Sequence, residues 1–383
     1  MGPTITKLIS LIILSFSLKP QIYTQAQQQV QCMFLFGDSL FDNGNNNVLL
    51  TSSKANYRPY GIDYPDGPTG RFSNGRNIAD FLAELLGFAN PVSPFVTARG
   101  SDILRGVNYA SGSAGILEES GIVAGDVIAL NRQLINHQLT IDRIRVLLGN
   151  NQTAVNNYLN KCLYVVNIGT NDYVNNYYLP QLSLSRILNT PDEFAQILIQ
   201  RFTQQLRTLN NSGARKFAVF GLGLLGCSPQ ELLSFPTTNG SACVDFINNS
   251  VQLFNNRLNR LIDNLNMDLP ASQFTFINIT NIALGDPSLI DQFKPLIDIG
   301  YKQRLMNCCQ HGIRVRNASC CAAQNNTGLC FPNQVPCSNR NEYIYWDNIH
   351  PTEIDNRATA SRSYSALLPN DAHPVDIRRL VQI

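Results

Sequence analysis

The sequence predicts a single α/β domain with helices on both faces of a central parallel sheet. Short apolar runs of strand character alternate with longer stretches whose apolar residues recur at helical spacing. No internal repeat, low-complexity linker or compositional break divides the chain. Hydrophobic residues make up 44% of the 383 positions, enough for one sizeable core. Such alternation is what strands joined by helical crossovers produce.

Met33 to Phe36 reads as a short buried strand. The spacing of Ile78, Phe81, Leu82, Leu85 and Leu86 predicts a helix closing at Gly87. Gly106 to Ala110 is a second strand, and Ile128, Leu130, Leu134 and Ile135 open a helical stretch to about Leu148. A third strand, Cys162 to Ile168, is rich in Val and Ile. Phe194, Ile197, Leu198 and Phe202 mark a helix ending near Gly213. There follow a strand at Phe217 to Phe220, a helix from about Val244 to Asn266 and a strand at Phe274 to Ile277.

The first 26 residues read as a secretory signal, leaving 27–383 as the mature domain. Lys7 precedes an apolar stretch from Leu8 to Leu18, too short to span a bilayer, and Thr24-Gln25-Ala26 suits signal-peptidase cleavage. No other segment reads as a membrane span. The formal net charge of +2 and scattered Lys and Arg give no footprint for nucleic acid. All ten cysteines lie beyond the cleavage site, and an even number in a secreted chain predicts disulfides. Six of them, from Cys308 to Cys337, fall in a segment without helical or strand periodicity, read as a stapled loop region rather than a zinc site. Sequons at Asn151, Asn210, Asn239, Asn248, Asn278, Asn317 and Asn325 are candidates for glycosylation on exposed loops.

Chemistry concentrates at the two ends. Phe36-Gly37-Asp38-Ser39-Leu40 puts a serine where a strand turns into a loop, at the sheet edge where α/β folds place their sites. Trp346-Asp347-Asn348-Ile349-His350-Pro351 puts an aspartate three residues before a histidine. A serine hydroxyl needs a base to take its proton and a third group to fix the base's tautomer. Ser39, His350 and Asp347 supply these roles in order. Of the other histidines, His137 lies in a polar helical stretch and reads as surface. His311, among the cysteines, reads as structural, and His373 as part of a mobile terminus.

Acyl transfer also needs donors for the oxyanion. Gly106-Val107-Asn108-Tyr109-Ala110-Ser111-Gly112 opens into small residues with unobstructed amides, and Gly169-Thr170-Asn171-Asp172-Tyr173 offers the Asn171 side-chain amide. Taken singly, Gly112 and Asn171 are ordinary turn formers; together, each after a strand, they suit an oxyanion hole. Gly221-Leu222-Gly223-Leu224-Leu225-Gly226 matches a dinucleotide fingerprint, but Cys227-Ser228-Pro229 follows where a helix would have to start. It reads as a disulfide-pinned loop, and no cofactor or metal is expected.

With the runs Phe34 to Asn47 and Pro68 to Arg76 added, these motifs resemble the plant GDSL-type esterase/lipase family of SGNH hydrolases over nearly the whole mature chain. The resemblance implies a three-layer α/β/α fold with a parallel sheet of about five strands. It implies Ser39 as nucleophile, His350 as base and Asp347 as its orienting acid. Oxyanion donors would be the Ser39 amide, a backbone N–H of the Gly112 loop and the Asn171 side chain. Ser113 and Gly115 fit the second donor as well as Gly112 does. The expected activity is hydrolysis of carboxylic esters, lipid or acylated cell-wall components. The alternatives are a transacylase using the same acyl-enzyme, or a catalytically silent wall-binding protein on the same fold.

Overall fold

The computed structural model describes residues 27–179, 183–238, 240–284 and 315–383. The proposed signal segment, His311, Cys308, Cys309 and Asn239 lie outside them. Among the described residues, strands β1 (Met33–Gly37), β2 (Leu163–Asn167), β3 (Lys216–Phe220) and β4 (Gln273–Ile277) pair in parallel and in that order. Strands β5 (Val315–Ser319) and β6 (Tyr343–Tyr345) form a separate pair. The two-residue strand β7 (Ala372–His373) closes the main sheet antiparallel to β4. The parallel expectation thus holds for four strands and fails for the edge one.

Strands β1 to β4 read as nearly unbroken apolar runs because both faces are covered. Their side chains alternate between two cores. Phe34, Phe36, Tyr164, Val166, Phe217 and Val219 meet the helices Leu130–Leu147, Gln152–Leu159, Pro191–Asn211 and Asp245–Asp268. Met33, Leu35, Leu163, Val165, Ala218 and Phe220 meet Ile78–Leu85, Glu353–Tyr364 and Ile377–Leu380. Helix starts are chemically marked. Asn77 with Asp80 and Thr190 with Glu193 form reciprocal capping boxes, the latter with Pro191 in the first turn.

The expected strand Gly106 to Ala110 lies beside β1 but is paired only around Asn108. Backbone bonds join Leu35 to Val107 and Tyr109, and Gly37 O to Ser111 N; the Asn108 side chain adds to them, its Oδ1 accepting from Ala110 N at 2.9 Å and its Nδ2 donating to Phe41 O at 2.7 Å. Beyond Ser111 the chain leaves β1 and enters the loop beside the site.

Disulfides join Cys32 to Cys162, Cys227 to Cys243, Cys320 to Cys337 and Cys321 to Cys330. The first ties together the entries of β1 and β2. The second pins the loop after the glycine-rich run, as expected, but a short helix, Pro229–Ser234, does start there, because Ser228 caps it and Pro229 fits its first turn. The last two staple the segment leading into β6. Among the sequons, Asn151, Asn317 and Asn325 are exposed. Asn248 and Asn278 are partly buried. Asn210 departs from the exposed-loop expectation: it is buried in a helix, and its amide donates to Ala214 O and Ser272 Oγ.

Candidate active site

The turn after β1 is tight. A Cβ on Gly37 would fall 2.4 Å from Asn167 O on the paired strand, so only glycine lets the two strand ends approach. Asp38 Oδ1 accepts from Leu40 N at 3.0 Å, and Ser39 is left at the C-terminal edge of the sheet. Burial pushes the Asp38 carboxyl up to about 7.

The second half arrives from β6. Trp346 N donates to His350 O at 2.7 Å and closes a turn around Asp347. Asp347 Oδ1 accepts the Ile349 and His350 amides at 2.8 and 2.7 Å, which is what an aspartate at the head of a tight turn does. Its Oδ2 lies 2.8 Å from His350 Nδ1. His350 Nε2 lies 2.8 Å from Ser39 Oγ, across a sequence separation of 311 residues. A carboxylate only accepts, so Nδ1 carries the ring proton and Nε2 accepts from the serine hydroxyl. The Phe72 ring lies 4.8 Å from the imidazole, and both Asp347 and His350 are buried.

Asn171 stands in the one-turn helix Thr170–Asp172 just after β2. Because Gly37 and Asn167 are register partners, Asn171 and Ser39 emerge side by side. Asn171 Oδ1 accepts from Asn175 Nδ2, and its own Nδ2 donates one proton to Ala114 O at 2.9 Å. The second amide proton remains for a ligand.

The structure corrects Gly112. Its amide donates to Asp42 Oδ2 at 3.0 Å and is already spent. Ser113 is the residue of this loop that lines the cavity with Ser39, Asn171 and His350. It holds φ +64°, unusual for a non-glycine residue. Among the described residues neither the Ser113 nor the Ser39 amide has a protein acceptor.

Two buried carboxyls shape this loop, and the sequence reading gave them no role. Asp42 accepts from the Gly44, Asn45 and Gly112 amides. Asp172 accepts from the Ile116 and Leu117 amides and Ser120 Oγ. Burial pushes both up to about 6, against the opposite pull of those donors. Each stands inside a quoted motif, next to or three residues from a candidate site residue, and that adjacency was the available signal.

The remaining histidines stand elsewhere. His137 is not at the surface: it is buried among Phe34, Phe36, Tyr109 and Tyr164, and burial lowers it to about 3. His373 is not in a loose tail but in β7, with Nε2 2.7 Å from Asp263. A cavity of about 1080 Å³ opens over Ser39 and His350, with Leu222, Leu224, Ile279 and Leu329 among its apolar walls.

The profile of the family described as GDSL-like Lipase/Acylhydrolase matches residues 33–363. GDSL esterase/lipase At1g29670 of Arabidopsis thaliana is 44% identical over 377 residues, covering 98% of each chain. GDSL esterase/lipase At4g18970 of the same plant is 44% identical over 354 residues, 92% of each. GDSL esterase/lipase At5g45670, also from Arabidopsis thaliana, is 43% identical over 354 residues, 92% of each. Both the profile and these relatives span the β1 turn and the turn before helix Glu353–Tyr364, and the chain belongs to the GDSL-like lipase/acylhydrolase family and is a carboxylic ester hydrolase.

Proposed function

We propose that the protein is a secreted, glycosylated esterase that cleaves lipid or acylated cell-wall esters through an acyl-enzyme on Ser39. The observation that carries the reading is the unbroken line Ser39 Oγ to His350 Nε2 to Asp347, at 2.8 Å for each link. Ser39 attacks the ester carbonyl while His350 takes its proton. The imidazolium, held by Asp347, then protonates the leaving alcohol, and a water activated by His350 releases the acid. The Ser39 amide, the Ser113 amide and the free Asn171 proton receive the oxyanion. The apolar cavity walls suit an acyl chain. Secretion and glycosylation are supported by the apolar run from Leu8 to Leu18, four disulfides and exposed sequons.

The test is fluorophosphonate labelling with the labelled peptide identified, run beside an ester panel of varied acyl length and alcohol. Label on Ser39, absent in Ser39→Ala along with turnover, is the expected result. A folded wild-type protein that takes no label, or Ser39→Ala within about tenfold of wild-type turnover, sinks the reading.

A further inference from the structure

We propose that Tyr60 is a positioning residue of the catalytic pair: its hydroxyl, set by the Cys330 amide, holds Asp347 in the orientation that steers His350. The inference rests on the triad reading above. Tyr60 is fully buried, and its hydroxyl donates to Asp347 Oδ2 at 2.5 Å. The same oxygen of Asp347 is the one nearer to His350 Nδ1. Cys330 N donates to the Tyr60 oxygen at 3.1 Å. A phenol has one proton, and an amide donor on its lone pair leaves that proton directed at the carboxylate.

Asp347 Oδ1 is fixed by two backbone amides, but among the described residues Oδ2 has only the imidazole and Tyr60. Without Tyr60 the only group restraining Oδ2 is the ring that Asp347 is meant to orient. The hairpin that supplies the Cys330 amide is itself sewn to the strand carrying Asp347. Cys330 is bridged to Cys321, and the Cys321 amide donates to Trp346 O at 2.9 Å. The Tyr60 ring is wedged edge-on between Tyr57 and Phe72, and Phe72 also covers His350. Burial, then the Asp347 charge, pushes the Tyr60 hydroxyl far above the ordinary phenol range, so it remains a donor. The titratable groups around Asp347 and His350 are Tyr57, Tyr60 and Asp38.

Tyr57 provides an internal control. Its hydroxyl donates to Cys330 O at 2.8 Å, so it braces the same hairpin without a hydrogen bond to Asp347. The experiment compares Tyr60→Phe and Tyr57→Phe in the full chain, by kcat, KM and the pH profile of kcat/KM on a soluble ester. Tyr60→Phe should lower kcat roughly 10- to 100-fold with little change in KM. Its acid limb should move to higher pH, because a carboxylate that has lost a donor holds the imidazolium more tightly. Tyr57→Phe, which loses a brace on the Cys330 hairpin but no hydrogen bond to Asp347, should change both far less. A Tyr60→Phe enzyme with kcat within about threefold of wild type and an unmoved limb overturns the proposal. If Tyr60→Phe gives no cooperative melt, 3-fluorotyrosine at position 60 keeps the shape and strengthens the donor. The limb should then move to lower pH, and an unmoved limb again overturns it. Wild-type labelling at Ser39 separates the two readings: no label removes the triad itself, whereas label with an insensitive position 60 removes only the role of Tyr60.

Discussion

Gln133 grips both backbone polar groups of Gly37: Oε1 accepts from Gly37 N at 2.9 Å and Nε2 donates to Gly37 O at 2.7 Å. The two residues are 96 positions apart, and Gln133 comes from the long helix behind the sheet. Its amide also reaches Ile128 O, so one buried side chain braces the turn that carries Ser39 and the approach to its own helix. Gln133→Leu strands the buried Gly37 N and Ile128 O, while Gly37 O keeps the Ser111 amide at 3.1 Å. Each stranded buried group costs about 1–3 kcal/mol, so a loss of about 2–4 kcal/mol is expected by denaturant unfolding. Active-site-titrated kcat should fall as well, since Ser39 sits two residues on. A variant of unchanged midpoint would show the clamp to be idle.

Asn171→Ala should lower kcat by roughly 10²–10³-fold with a much smaller effect on KM. Asn175→Ala should cost far less, because it removes the partner of Asn171 Oδ1 and leaves the donating Nδ2 in place. Measuring melting temperature and titrated kcat on one preparation separates loss of a donor from loss of folded protein. Equal kcat losses in the two variants would mean that Asn171 acts through the turn and not through the oxyanion.

Ser113→Gly keeps the backbone donor and relieves the positive φ, so kcat should stay within a few-fold while stability rises by about 1 kcal/mol. Ser113→Val places a β-branched residue at the same φ and should reduce both stability and kcat. A Ser113→Gly enzyme that is inactive would assign the hydroxyl, rather than the amide, to the reaction.

Stability should fall as pH rises from about 5 to about 8. Burial raises Asp38 to about 7 and Asp42 and Asp172 to about 6, from an ordinary value of 3.8. In that window the folded chain holds protons that the unfolded chain has released, so the advantage is complete below the ordinary value and lost as pH climbs through the raised ones. Asp38 makes the strongest case, because its Oδ2 has no partner. His137 works the other way, being lowered to about 3, and removes stability as pH falls below 6.5. Melting temperature at constant ionic strength should drop by a few degrees between the two ends. A melting temperature that climbs steadily toward the alkaline end would contradict the assignment.

Thiol titration of the unreduced protein should find no more than two reactive cysteines of the ten, since eight stand in four pairs. Each bridge contributes about 2–4 kcal/mol if unstrained, so reductant should lower the melting temperature. Most of the ten reacting before reduction would refute the oxidised framework.

The strands were legible because Val, Ile and Phe crowd into short runs that have no helical period. His350 was distinguishable from His373 because three residues separate it from Asp347, the span of a tight turn. Other features depend on contacts no local pattern encodes. The Gly112 amide looked free because only the folded chain brings Asp42 to it. His137 looked exposed because its helix is polar in composition, whereas the aromatic cluster that buries it comes from β1, β2 and the Tyr109 loop. Tyr60 lies 287 residues from Asp347, and nothing in the run Arg58-Pro59-Tyr60-Gly61 indicates a carboxylate partner.

The span of 311 residues between Ser39 and His350, the proposed nucleophile and base, also governs when the chain becomes dangerous to its maker. A ribosome that has synthesised β1 to β4 has made the parallel strands, the serine and the proposed oxyanion donors, yet not the base proposed for Ser39. On the proposed triad, ester cleavage awaits the synthesis of His350 and the docking of the β6 turn. Any product broken off before His350 lacks the proposed base, however well its sheet has assembled.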